Sequence, residues 1–160
     1  MPLKFSEQSL KEYEELASHY PDRRATLLPA LWLAQRDFGF ISHDAIITVS
    51  DLVGVHPIQV KEVVDFYTMY QKKRPGKYHI QVCQTLSCWL NGAEEIASLI
   101  EKKLNLKEGE TTPDELFSLQ FVECLGSCHT APAMQVNDEY HENLTSSSVE
   151  QLIDRLKGGI

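Results

Sequence analysis

Apolar positions recur at helical spacing through the first seventy residues. Leu10, Tyr13, Leu16, Ala17 and Tyr20 make one stripe, with Ser9 and Glu12 placed as a capping box and Pro21 as a stop. A second helix is expected from about Asp22, carrying Leu27, Leu28, Leu31 and Trp32. Pro29 inside it predicts either a kink or a later true start, and Gly39 is a good C-terminal cap. Ser42 can open a third helix with Ile46, Ile47, Val49 and Leu52, ended by Gly54. Pro57 suits the first turn of a fourth, with Val60, Val63, Val64 and Tyr67. The period then changes. Tyr78, Ile80 and Val82 alternate with His79, Gln81 and Cys83, which predicts a strand. Asn91 with Glu94 can box a helix bearing Ile96, Leu99, Ile100 and Leu104. Phe117, Leu119 and Phe121 alternate again, Met134 and Val136 form a short strand, and Asn137-Asp138 turns into a strand over Tyr140 to Leu144. Ser147 and Glu150 can cap a last helix with Val149, Leu152, Ile153 and Leu156. The fold class is α/β: a helical bundle, then a small unit with one parallel crossover and a C-terminal hairpin.

Charge sharpens the division. The 160 residues carry 15 basic and 23 acidic side chains, a net charge of -8. Nine basic and ten acidic residues lie up to Arg74; six and thirteen follow. The run Lys72-Lys73-Arg74-Pro75-Gly76 sits at the join, where Pro-Gly signals a turn. Two domains are therefore expected, residues 1–74 and 75–160. The acidic balance argues against nucleic acid as partner, and the helix around Val60 is half acidic, unlike a DNA-reading helix. No stretch is long and apolar enough to predict a direct membrane span. The start, MPLKFSEQSL, shows no leader pattern, and four cysteines in such a chain point to a reducing compartment.

The candidate chemistry lies in those cysteines, all in the acidic half. Their pattern is Cys83-x4-Cys88, thirty-five intervening residues, then Cys124-x3-Cys128. Each pair is expected in a loop at the end of a strand, so two adjacent strands would bring the loops together. Four thiolates at one point suit a soft metal site. Structural zinc usually uses tighter hooks, and the wider loops fit a larger object such as a [2Fe-2S] cluster, with two thiolates on each iron. The plant-type ferredoxin spacing does not match, and a Rieske centre lacks its second histidine, so His129 is read as a non-ligand. No C-x-x-C is present for dithiol chemistry. Gly126, inside the second loop, lets the backbone turn closely and aim an N–H at sulfur. An anionic cluster in an acidic domain is expected to have a low reduction potential, unless such donors offset the charge.

The strings LLPALWLAQRDFGFIS, VKEVVDFYTMY and VECLGSCHTAPAMQVND, with the two cysteine pairs, resemble the thioredoxin-like [2Fe-2S] subunit of NADH:quinone oxidoreductase (bacterial respiratory complex I) from about Arg24 to Leu156. The resemblance implies an N-terminal helical docking domain and a thioredoxin-like [2Fe-2S] ferredoxin domain. It implies that Cys83 and Cys88 hold one iron of a single [2Fe-2S] cluster and Cys124 and Cys128 the other. It further implies a one-electron carrier with no complete active site of its own. The partner would be the flavoprotein subunit that binds NADH and FMN, within an assembly peripheral to the cytoplasmic side of the inner membrane. The eight glycines form neither G-x-G-x-x-G nor a P-loop, in keeping with nucleotide and flavin sites on another chain. An equivalent subunit of an NAD-linked hydrogenase or formate dehydrogenase would share these motifs, and a zinc-stapled structural adaptor is the alternative of another class. One departure is Glu115-Leu116, where the family pattern suggests a Gly-containing turn. Pro132 resembles the thioredoxin-fold cis-proline. Phe66, Tyr67, Met69 and Tyr70 are read as either interface or core.

Overall fold

The computed structural model describes residues 3–159. Met1, Pro2 and Ile160, at the outer ends of the two expected domains, lie outside the described residues. The chain divides into two compact units, Met1–Arg74 and Pro75–Ile160.

The first unit holds four helices: α1 (Glu7–Ser18), α2 (Leu27–Phe38), α3 (His43–Val53) and α4 (Pro57–Phe66). α1 starts before the expected Ser9–Glu12 box, because the Ser6 hydroxyl already accepts from the Ser9 N–H at 3.1 Å. Ser9 is instead buried; its hydroxyl donates to Asp37 Oδ1 at 2.9 Å and accepts from Arg36 Nη2 at 2.9 Å. Of the α1 stripe only Tyr13 is fully buried, its hydroxyl 3.0 Å from Thr26 Oγ1; Leu10 and Tyr20 face solvent. Asp22 caps a short 3-10 turn (Arg23–Thr26), and α2 begins after it. Pro29 therefore stands in the first turn of α2, where its missing N–H costs no helical bond. Gly39 and Gly54 end α2 and α3 in the left-handed conformation, and Ser42 caps α3. α4 opens on Pro57; the His56 ring accepts from the Ile58 N–H at 3.3 Å, and the Gln59 side chain accepts from the His56 N–H at 3.2 Å. Ala30, Leu31, Ala34, Val49, Val60 and Val64 fill the space between α2, α3 and α4.

The aromatic stretch after α4 divides. Phe66 is 77% exposed, whereas Tyr70 is 2% exposed and donates its hydroxyl to the Leu28 carbonyl at 3.1 Å. Tyr70 is thus core. Burial, with Tyr67 second, pushes its pKa up to about 12 from the usual 10. The folded state then holds the phenol proton where the unfolded state has lost it. Stability from this group is complete below pH 10 and falls as pH rises from 10 towards 12. Unfolding by denaturant across that window is expected to show an alkaline loss that Tyr70→Phe removes, at the cost of about 1 kcal/mol for the missing hydrogen bond.

The second unit is a four-stranded sheet of order β2-β1-β3-β4, with β1 (Tyr78–Cys83), β2 (Phe117–Val122), β3 (Met134–Val136) and β4 (Glu139–His141). β1 and β2 run parallel in the register Tyr78–Phe117 to Cys83–Val122; β1 pairs antiparallel with β3, and β3 with β4. Three helices complete it: α5 (Leu86–Leu90), α6 (Ala93–Leu104) and α7 (Ser146–Lys157). Ile80, Val82, Phe117, Leu119 and Met134 of the sheet pack with Ile96 and Ile100 of α6 and Val149 and Ile153 of α7. This is the expected crossover and hairpin, in a mixed α/β arrangement.

Four local readings differ. A short helix, α5, occupies the first cysteine loop. α6 starts at Ala93 behind Gly92, whose φ of 91° only glycine adopts freely, so Asn91 and Glu94 form no box. β4 is three residues long and ends at His141, because the Leu144 N–H turns to the Pro132 carbonyl. α7 is capped by Thr145 and Ser148 rather than Ser147 and Glu150. The Ala131–Pro132 bond is cis.

Glu115 closes the Thr112–Glu115 turn with φ at 54°, in the left-handed region, its N–H on the Thr112 carbonyl at 2.8 Å. The turn expected to contain glycine is therefore made with a side chain that opposes it. Glu115→Gly is expected to raise stability by roughly 0.5–1 kcal/mol, the left-handed penalty less the entropy glycine adds to the unfolded chain. The urea midpoint should move up with an unchanged slope.

Candidate metal centre

Parallel pairing puts the ends of β1 and β2 side by side, and each end delivers one cysteine pair. Cys83 is the last residue of β1, opposite Val122 at the end of β2. Cys88 lies on α5, not in an open loop, and is buried like Cys83, each 2% exposed. Cys124 follows β2 and Cys128 opens a 3-10 turn (Cys128–Thr130); both are exposed. The Cys124 and Cys128 sulfurs are 3.6 Å apart. Two thiolates bound tetrahedrally to one metal at about 2.3 Å stand about 3.7 Å from each other, so this spacing fits a shared metal. All four cysteines are free thiols.

The Thr85 hydroxyl lies 3.2 Å from Cys83 Sγ. Ala133, the residue after Pro132, accepts from the Cys83 N–H at 3.2 Å and directs its own N–H at the Cys88 sulfur. Ala93 and Ala133 are buried beside Cys83 and Cys88, with Leu125 and Ala131 against them, so small side chains surround the buried sulfurs. The Gly126 N–H points at Cys124 Sγ from 3.3 Å, with φ at 83°, as the glycine in that loop predicts. His129 is exposed, as Cys124 and Cys128 are. Among the described residues no three His, Cys, Asp or Glu side chains close on a single point. One pair lies at the end of each strand.

Electrostatics splits each pair. Burial pushes the Cys83 thiol up, but bonds from Thr85, from the Leu125 backbone and from Cys88 outweigh it and leave the group below its ordinary value. Burial, then Cys83, drives Cys88 up to about 11. The Gly126 N–H, then Cys128 and Thr85, lower Cys124; Cys124 in turn raises Cys128. One sulfur of each pair takes the negative charge first and its neighbour keeps the proton, which a cation would displace. Thr85, Ser87 and Ala133 were not legible as site residues from the sequence. Their only signal is position, two hydroxyls between the first cysteines and a small residue after Pro132.

The donor set suits a thiolate-bound cluster. The chain matches the family model described as thioredoxin-like [2Fe-2S] ferredoxin over residues 13–157. It is 44% identical over 156 residues to an NADH-quinone oxidoreductase subunit of Rickettsia conorii, covering 96% of this chain and 93% of that one. It is 48% identical over 149 residues to an NADH-quinone oxidoreductase subunit of Thermus thermophilus, covering 91% and 82%. Its fold is similar to part of an NAD+-reducing [NiFe]-hydrogenase, with a TM-score of 0.74 at 21% identity; the match covers 84% of this chain and 23% of the hydrogenase chain. Among the described residues no helix is long and apolar enough to cross a membrane. With two thiol pairs at the ends of neighbouring parallel strands and a family model matched across both units, this chain belongs to the thioredoxin-like [2Fe-2S] ferredoxin family.

Proposed function

We propose that this chain is the one-electron carrier subunit of an NADH:quinone oxidoreductase. Cys83 and Cys88 would hold one iron of a [2Fe-2S] cluster and Cys124 and Cys128 the other. The observation that carries the reading is the convergence of two thiol pairs at the ends of adjacent parallel strands, with the Cys124 and Cys128 sulfurs 3.6 Å apart. Two such pairs suit a two-iron object better than a single zinc ion. The cluster, when bound, takes up and returns one electron. The chain's own groups do the rest. Gly126 N–H and the Thr85 hydroxyl donate towards sulfur and offset the acidic surroundings, while Ala93, Ala133 and Leu125 keep the inner sulfurs dry. The relatives at 44% and 48% identity favour complex I over a hydrogenase, whose likeness shows the fold alone. The electron partner in this reading is the NADH- and FMN-binding flavoprotein subunit, and the helical unit serves as a docking element.

The test is composition and reduction together. Full chain purified without oxygen should carry two irons and two acid-labile sulfides, absorb in the visible, and give an EPR signal after dithionite. NADH alone should leave it oxidised, and NADH with the flavoprotein subunit should reduce it. A colourless, zinc-loaded protein with an intact fold overturns the reading.

A further inference from the structure

The five residues of α5 place one sulfur inside and three large apolar side chains outside. Cys88 is 2% exposed, while Leu86 is 70%, Trp89 56% and Leu90 67% exposed. The core of this unit does not cover them: the small cluster around Cys83 and Cys88 is built from Ala93, Ala133, Leu125 and Ala131, and the main core lies between the sheet, α6 and α7. A helix of five residues gains little from its own hydrogen bonds, so its sequence is free to serve packing. Leaving a tryptophan and two leucines in water over one and a half turns is costly for an isolated chain. These side chains stand on the same helix as Cys88, and that helix packs against the turn that holds the exposed Cys128. Exposed acids flank the sulfurs: Glu123 precedes Cys124, and Glu142 accepts from Thr130, two residues beyond Cys128.

We infer that Leu86, Trp89 and Leu90 form the contact through which the electron-exchanging flavoprotein subunit docks over the cysteine site. The inference rests on the function proposed above and adds the surface. Electron exchange needs the two redox groups close together, so the partner must cover the end of the unit where the sulfurs lie. The dehydrated centre of that contact would be Trp89, an amphipathic ring of the kind that dominates interface energetics. The acidic rim calls for a partner face that is apolar at its centre and basic around it. Docking on this face also shields the exposed Cys124–Cys128 pair from water.

The experiment uses the full chain with its cluster assembled and the recombinant flavoprotein subunit of the same oxidoreductase as probe. Trp89→Glu and the separate pair Leu86→Ser with Leu90→Ser should each weaken binding by at least about 30-fold, the scale of an interface hot spot. Visible and EPR spectra should stay those of the unmodified protein, and Trp89→Phe should bind within a few-fold of it. Wild-type association should also weaken with added salt. Spectra intact with binding unchanged overturn the inference and leave the proposed function standing. Loss of the cluster in both variants shows the face to be structural and overturns it too. A wild-type chain that self-associates through this face, becoming monomeric in both variants while flavoprotein binding persists, assigns the surface to a second copy instead. If the wild-type chain with its cluster does not bind the flavoprotein at all, the functional reading fails along with the surface.

Discussion

Cys83→Ser and Cys88→Ser should each remove the visible absorbance and the EPR signal of the purified protein, while Cys124→Ser and Cys128→Ser should perturb or abolish them. All four substitutions delete a thiolate, but the surroundings differ. Cys83 and Cys88 are each 2% exposed and enclosed by Ala93 and Ala133, so neither water nor a small thiol can reach a vacated position. Cys124 and Cys128 are exposed, and only the Gly126 N–H and neighbouring side chains attend them. A small external thiolate can therefore substitute at the outer pair. Cys124→Gly or Cys128→Gly, reconstituted with iron and sulfide in excess mercaptoethanol, should recover part of the spectrum. Cys83→Gly and Cys88→Gly should recover none. The measurement is absorbance and iron-to-sulfide ratio after desalting into the same thiol. An unchanged spectrum in any single Cys→Ser variant removes that residue from the ligand set. Equal rescue at all four positions would refute the asymmetry between inner and outer pairs.

That asymmetry marks the limit of what the spacing shows. Pairing of the cysteines was legible because it is local: each pair lies within six residues, next to a segment of period two. Helix ends at Gly39, Ser42, Gly54 and Pro57 were legible for the same reason, since caps are chosen by neighbouring residues. α5 was not legible. Its five residues are too few for a periodicity, and its apolar face points outward, so pattern reading finds no buried stripe. Tyr70 and Phe66 sit four residues apart in one aromatic run, yet one is core and the other exposed; only the Leu28 carbonyl, forty-two positions away, separates them. The roles of Thr85 and Ala133 likewise exist only once β1, β2 and the Pro132 segment are assembled. Start signals failed where several hydroxyl residues competed: Ser6 displaced Ser9, and Thr145 displaced Ser147, because the earlier residue satisfies the free N–H groups first.

Gly76→Ala is expected to be among the most destabilising single substitutions in the second unit. Pro75-Gly76 reads as a turn in the sequence, but Gly76 instead lies hard against β2. A Cβ there would stand 2.5 Å from the Phe117 carbonyl carbon, 2.8 Å from the Ser118 nitrogen and 2.9 Å from the Phe117 Cα. All three are backbone atoms of a strand paired along its length with β1, so none can move without disturbing the register from Tyr78–Phe117 onward. The Gly76 N–H donates to Ser118 Oγ at 3.0 Å, and that hydroxyl also meets His79 Nδ1 at 2.8 Å. The next residues continue the attachment, Lys77 N–H to the Glu115 carbonyl at 2.9 Å and Tyr78 N–H to Leu116 at 2.8 Å. Pushing Gly76 outward would loosen these bonds and strand Ser118, which is 4% exposed. Overpacking costs about 1–3 kcal/mol, and one lost buried hydrogen bond adds about 1 kcal/mol. At roughly 4–8 °C per kcal/mol for a unit of this size, a fall of at least about 8 °C in Tm is expected. Gly54→Ala is the control. Its φ is 80° but no atom lies within 4 Å of the added Cβ, so it should cost only the left-handed penalty of about 1 kcal/mol. If the two variants melt together, close approach is not what places glycine at position 76.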